Sequence, residues 1–162
     1  MKVYVGTYGK YNAGSINGAW LNLEDYTDKD EFLEACAELH KDEADPEFMF
    51  QDWEDIPDGM ISESRIDEKA WDLLDAFDEF DEGAVRAYIK CFGGWSRGDF
   101  EDRYRGEWSS WGDMGESVVG DLGYLDEIPE YLQCYFDYEK FAQDMRVSGD
   151  MIEHGGYFFW NH

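Results

Sequence analysis

An α+β fold of small antiparallel sheets and short helices is the class this sequence predicts, and three observations carry that prediction. Short alternating or aromatic runs of strand type stand near both ends. Helical periodicity with polar caps fills stretches of about a dozen residues between them. Gly and Pro punctuate the chain so often that no element has room to be long.

The elements follow in order. Val3, Tyr4 and Val5 with Thr7 and Tyr8 read as a strand, and residues 9–18 as a polar, Gly-rich loop. Residues 19–23 return as a second, antiparallel strand. Residues 28–40 read as a helix capped by Thr27 or Asp28, with Phe32, Leu33, Cys36 and Leu39 as its apolar stripe. Asp45-Pro46 ends that region, and residues 48–53 read as a third strand. Ile56-Pro57-Asp58-Gly59 is a turn and a domain boundary near residue 60. Ser64 then caps a helix expected over 66–80, with Trp71, Leu74 and Phe77 inward, flanked by Ala70, Leu73 and Phe80. Gly83 breaks it, and a second short helix covers 84–91 up to Gly93-Gly94. Short helices are expected at 99–104, 113–122, 129–135 and 137–145, and strand-like pieces at 151–152 and 157–160 around Gly155-Gly156.

The composition pairs two properties that rarely meet. The chain has 162 residues, a formal charge of −26 and 18% aromatic residues. Acidic chains are usually disordered because they bury too little apolar surface. Here 7 Trp, 11 Tyr and 11 Phe can supply a core. The charge is concentrated: residues 24–82 hold 24 acids against Lys29, Lys41, Arg65 and Lys69, whereas residues 1–23 hold none. Such a surface repels nucleic acid and anionic lipid and is steered towards basic clefts.

The acids fall in helical rows. Glu31, Glu34 and Glu38 lie beside the apolar stripe of the first helix, and Asp42 extends them. Glu68, Asp72, Asp75, Glu79 and Glu82 are spaced 4, 3, 4, 3, which on one continuous helix keeps every carboxylate on one side. That row would cover about 21 Å of axis at ~1.5 Å per residue. Duplex DNA carries one charge per ~1.7 Å, so 26 charges equal those of roughly 13 base pairs. The same row on its own also fits the solvated face of an amphipathic helix.

Other chemistries lack their residues. His40, His154 and His162 have no metal-ligand spacing with each other or with Cys36, Cys91 and Cys134. No phosphate-binding loop, dinucleotide fingerprint or nucleophile elbow is present, and the acidic runs at 28–30 and 42–45 lack the Gly and Glu of an EF-hand loop. No catalytic constellation, metal or cofactor is expected. The three separated cysteines suit reduced thiols in a cytoplasmic protein, and neither a signal-peptide core nor a membrane-spanning run is read.

Two stretches carry a family resemblance. Tyr4-Val5-Gly6-Thr7-Tyr8-Gly9-Lys10-Tyr11-Asn12, with Gly14-Ser15 and Gly18-Ala19-Trp20-Leu21, resembles the N-terminus of the ArdA antirestriction proteins. Leu125-Asp126-Glu127-Ile128-Pro129-Glu130-Tyr131-Leu132, continuing through Tyr135-Phe136-Asp137-Tyr138-Glu139-Lys140-Phe141-Ala142-Gln143-Asp144-Met145 and Ser148-Gly149-Asp150, resembles the family's hallmark run. The middle, 60–105, is similar only in its charge. The resemblance implies a DNA mimic carried on mobile elements that inhibits type I restriction–modification enzymes. Its partner would be the DNA-binding cleft of their specificity and methyltransferase subunits. The resemblance also implies an elongated, curved homodimer with three small domains in a row, here 1–60, 61–105 and 106–162. Asp126, Glu127, Glu130, Asp137, Glu139 and Asp144 match the motif acids. Leu132, Tyr135, Tyr138, Phe141 and Met145 have instead the spacing of a packed stripe, as core or dimer interface. The charge alone equally suits an acidic inhibitor or chaperone of another basic DNA-binding protein.

Overall fold

The computed structural model describes all residues, Met1–His162, and its contacts gather them into two compact units, Met1–Glu79 and Phe80–His162. Both are α+β. Residues 61–105, expected as a central domain, are shared: 61–79 belong to the first unit and 80–105 to the second.

The first unit is built on a three-stranded antiparallel sheet in the order β2-β1-β3. Its strands are β1 (Lys2–Thr7), β2 (Ala19–Asn22) and β3 (Phe48–Glu54). Alternation in β1 sends Val3 and Val5 into the core, both 0% exposed, and turns Tyr4 outward. Tyr4 stands opposite Trp20 on one side and Asp52 on the other. One extra residue on β3 between Asp52 and Phe50 bulges that edge.

Helix α2 (Lys29–Leu39) closes over the sheet with Phe32 and Cys36 inward. Phe32 meets Tyr26, Phe50 and Trp71 with ring centroids 5.6–6.1 Å apart. Asp28 caps α2 by accepting from the Glu31 amide at 2.9 Å. The Glu31 carboxylate reaches back to the Thr27 amide at 2.6 Å, forming a capping box displaced by one residue.

Three expectations are corrected in this unit. The loop 9–18 begins as a five-residue helix, α1 (Tyr8–Asn12), because the Thr7 hydroxyl accepts from the Lys10 amide at 3.1 Å. Ser64 caps no helix: it lies in the turn of a hairpin, β4 (Ile61–Ser62) with β5 (Arg65–Ile66). The helix expected over 66–80 is therefore shorter, α3 (Lys69–Glu79), with Ala70, Trp71, Leu73 and Ala76 buried and Leu74 and Phe77 only half-buried.

The second unit opens with α4 (Glu82–Phe92), capped by Asp81, and α5 (Arg97–Arg103). Its sheet, β6-β8-β7, uses β6 (Tyr104–Glu107), β7 (Met151–His154) and β8 (Tyr157–Trp160). Gly155 and Gly156, at φ +63° and +91°, make the two-residue turn that pairs His154 with Tyr157. Strand β6 is a correction, since residues 104–107 carry no strand signal in the sequence. The core is aromatic: Phe100 packs against Phe80, Tyr88, Trp95, Tyr104 and Phe159 at centroid distances of 5.0–6.4 Å.

The remaining helices are α6 (Trp111–Asp121), α7 (Glu130–Gln133) and α8 (Tyr138–Ser148). Met114 and Val118 of α6, Ala142 and Met145 of α8, Met151 of β7 and Phe158 of β8 form one cluster. No helix is long and apolar enough to cross a membrane.

Candidate anionic interface

Folding leaves the acids outside. Thirty-five of the 39 are exposed; only Glu43, Asp67, Asp72 and Glu153 are half-buried, and none is fully buried. An isolated buried carboxylate is costly, so an acid-rich chain that folds must place its acids this way.

The α2 row survives as expected. Glu31, Glu34 and Glu38 stand at i, i+3 and i+7 on the exposed side of the helix. The Glu31 carboxyl is held below its usual range by the Thr27 amide and hydroxyl, so this acid is charged even in mildly acidic conditions. Asp42 is held low as well, chiefly by a hydrogen bond from Lys10 Nζ at 2.9 Å. Lys10 also donates to Nδ1 of the buried His40 at 2.9 Å, which leaves His40 Nε2–H to donate to the Val5 carbonyl at 3.0 Å. Sequence reasoning read His40 as an isolated residue; it pins the acidic end of α2 to the central strand.

The second row is not one helix. Asp72, Asp75 and Glu79 share α3, Glu68 sits just before it, and Glu82 opens α4 in the other unit. The break lies at Asp81, whose carboxylate accepts from the Ala84 amide at 2.9 Å and starts a new helix. Asp81 also takes the Tyr157 hydroxyl; the Ala84 amide first and this hydroxyl second hold Asp81 below its usual range, and the same bond pushes Tyr157 up to about 12. Asp81 was missed as a site residue; an Asp three residues before an alanine-rich helical run was the available signal.

Of the hallmark acids, Asp126, Glu127 and Glu130 lie in the α6–α8 connection, and Asp137 caps α8 at the Lys140 amide, 2.9 Å away. Glu139 and Asp144 are on α8, all six being exposed. The apolar stripe divides. Met145 is buried and Tyr138 and Phe141 are half-buried, whereas Leu132 is 42% and Tyr135 81% exposed. The spacing looked continuous, but α7 ends at Gln133 and α8 begins at Tyr138, so Leu132 and Tyr135 are not core in this chain.

Many of the cations have a partner of their own, although seven of the 13, Lys41, Arg65, Lys69, Arg86, Lys90, Lys140 and Arg146, are exposed. Lys2, Lys10, Lys41, Arg86, Arg105 and Lys140 each pair with a carboxylate, the partners being Glu54, Asp42, Glu38, Glu82, Asp121 and Asp144. Arg97, Arg103 and Arg146 lie over Phe80, Phe92 and Trp111 at 4.8–5.6 Å from the ring centroids. The outward layer therefore holds 35 exposed acids against seven exposed bases. Nowhere do three His, Cys, Asp or Glu side chains gather as metal ligands.

A search of curated proteins returns no match to the chain. A family model described as antirestriction protein (ArdA) matches residues 3–159, which takes in both units, the acidic helices and the hallmark run. The chain belongs to the ArdA antirestriction protein family.

Proposed function

We propose that this protein is a DNA mimic: it occupies the DNA-binding cleft formed by the specificity and methyltransferase subunits of type I restriction–modification enzymes and so inhibits them. It acts in the cytoplasm as a homodimer, it is carried on mobile elements, and it performs no catalysis. The carrying observation is the excess of surface charge, with 35 exposed acids against seven exposed bases. A basic cleft evolved for phosphates meets carboxylates at comparable density, and its counter-ions are released on binding as they are for DNA. Exposed Leu132 and Tyr135 suit the subunit contact of the dimer.

The direct test is displacement of a labelled duplex from a purified type I methyltransferase at low salt. Stoichiometric protein is expected to release the DNA, and release should weaken steeply as salt rises. Retention of the duplex at that dose refutes the reading. Capture of basic nucleoid proteins alone, without type I subunits, would instead assign the charge to a different partner.

A further inference from the structure

The outer face of the first sheet carries aromatic surface that the acidic rows do not explain. Tyr11, Ile16 and Trp20 are 52%, 71% and 41% exposed. They line one groove of about 480 Å³ together with Tyr4, Asp52 and Glu63. That volume is within the ~300–1,000 Å³ of ordinary ligand sites.

The groove is built by the strand register. Tyr4 on the central strand is flanked by Trp20 and Asp52, and the Tyr4 and Trp20 rings meet edge to face at 5.6 Å. The Tyr4 hydroxyl donates to the Ile16 carbonyl at 2.8 Å and so holds the 13–18 loop beside the sheet. Gly18 permits the close return: a Cβ there would stand 2.2 Å from the Val5 carbonyl oxygen. Glu63 is engaged by the Tyr8 hydroxyl. Asp52 takes the Trp53 amide at 2.9 Å on one oxygen and has no ion-pair partner. No basic side chain lines the groove.

Ring faces beside carboxylates are complementary to a cation. The Trp20 ring already attracts one, since Lys2 Nζ lies 4.9 Å from its centroid. A guanidinium fits better than an ammonium: it stacks flat on a ring, pairs two-point with a carboxylate, and follows an alkyl stem that covers exposed apolar surface such as Ile16. We propose that this groove is an arginine-reading subsite, in which one arginine of a basic protein partner stacks on the exposed Trp20 ring and pairs with Asp52. The proposal rests on the partner being a basic protein cleft, and it adds a point of selectivity to a surface otherwise governed by net charge.

The test uses the full chain with hexa-arginine and hexa-lysine peptides at one salt concentration, measured by calorimetry, beside the DNA-displacement assay. Wild type should bind hexa-arginine about two- to fivefold more tightly than hexa-lysine, the size of one exposed cation–ring contact. Trp20→Ala should abolish that preference while both peptides still bind. Asp52→Asn, an exposed change that leaves the sheet intact, should cost more hexa-arginine affinity than Asp58→Asn, which removes the same charge elsewhere in the unit. Both variants should also weaken DNA displacement. Equal affinity of wild type for the two peptides overturns the proposal, as does a preference that survives Trp20→Ala. If the variants lose the preference but displace DNA as wild type does, the subsite has no place in the complex and the proposal falls while the mimicry reading stands. A Trp20-dependent self-association with no arginine preference assigns the groove to a second copy of the chain and also overturns it.

Discussion

Replacing one glycine of α6 by alanine should destabilise the protein, and replacing another on the same helix should stabilise it. Alanine is favoured over glycine inside a helix by about 1 kcal/mol, so both changes begin from that gain. They differ in what the new methyl meets. At Gly120 a Cβ has nothing within 4 Å. At the buried Gly115 it would stand 2.8 Å from the Tyr138 carbonyl oxygen and 3.0 Å from the Ala142 Cβ, both on α8. A backbone carbonyl cannot rotate aside as a flexible side chain can, so α8 itself must retreat. Overpacking of this kind costs ~1–3 kcal/mol, and the rigid neighbour places Gly115→Ala at the upper end. Its net effect is then a loss of about 2 kcal/mol, against a gain of up to about 1 kcal/mol for Gly120→Ala near the helix end. Urea denaturation followed by circular dichroism reads both. If Gly115→Ala is as stable as Gly120→Ala, the close approach of α6 and α8 is wrong. The approach bears on function because α8 carries Glu139 and Asp144 and is capped by Asp137.

Three further outcomes follow from the charges and thiols. Asp75→Asn alone should weaken DNA displacement by about fivefold or less, as for one exposed ion pair, whereas Glu31, Glu34 and Glu38 changed together to Gln should weaken it far more; a tenfold loss from Asp75 alone would mean a hot spot rather than a distributed surface. Tyr157 has its pKa raised to about 12 by its hydrogen bond to Asp81, so its stabilising contribution is complete below pH 10 and lost as pH rises to about 12. Asp81 is lowered, so its contribution is present above the ordinary carboxylate range and lost in acid. Melting temperature against pH should therefore fall less steeply above pH 10 in Tyr157→Phe than in wild type, and parallel curves would contradict the assignment. Burial pushes the Cys36 thiol up to about 12, while Cys134 is exposed, so a thiol reagent at pH 8 should label Cys134 promptly and Cys36 only after denaturation.

The capped helices were legible in the sequence because each carries its own start signal. Asp28 and Asp137 each accept an amide three residues on, at 2.9 Å, whereas the Ser110 cap went unread and its helix starts two residues before the expected 113. The elements that were missed are shorter than the period that would reveal them. Helix α1 has five residues, β4 and β5 have two each, and β6 contains Gly106 at φ +140° between charged residues. The α2 row was readable for the same reason that α2 was. The longer row misled because its 4, 3, 4, 3 spacing is indifferent to whether the chain stays helical between Glu79 and Glu82. The chain leaves the helix at Phe80 and Asp81, and the Asp81 carboxylate accepts from the Ala84 amide to cap a new one. The aromatic groove had no linear signature, because Tyr4, Trp20 and Asp52 become neighbours only through strand register.

Two magnitudes explain how such a surface can be held on a fold. Neighbouring like charges on a helix each cost roughly 0.2–0.5 kcal/mol, so the pairs Asp30–Glu34, Glu31–Glu34 and Glu34–Glu38 together oppose α2 by about 1.5 kcal/mol at most. Phe32 lies on the same helix and is 0% exposed. A buried aromatic side chain removes ~150–250 Å² from water, about 4–6 kcal/mol at ~25 cal/mol per Å². One core ring therefore outweighs the repulsion along its own helix several times over, and the second unit repeats the arrangement around Phe100 and Phe159. The fold can thus carry most of its acids without a cation beside each one. That is why its cations can be spent on local pairs and on ring faces, as Arg103 is over Phe92 and Arg146 over Trp111, and why the carboxylates stay available to a partner. The aromatic content and the acidity, which look opposed in the composition, are two parts of one arrangement.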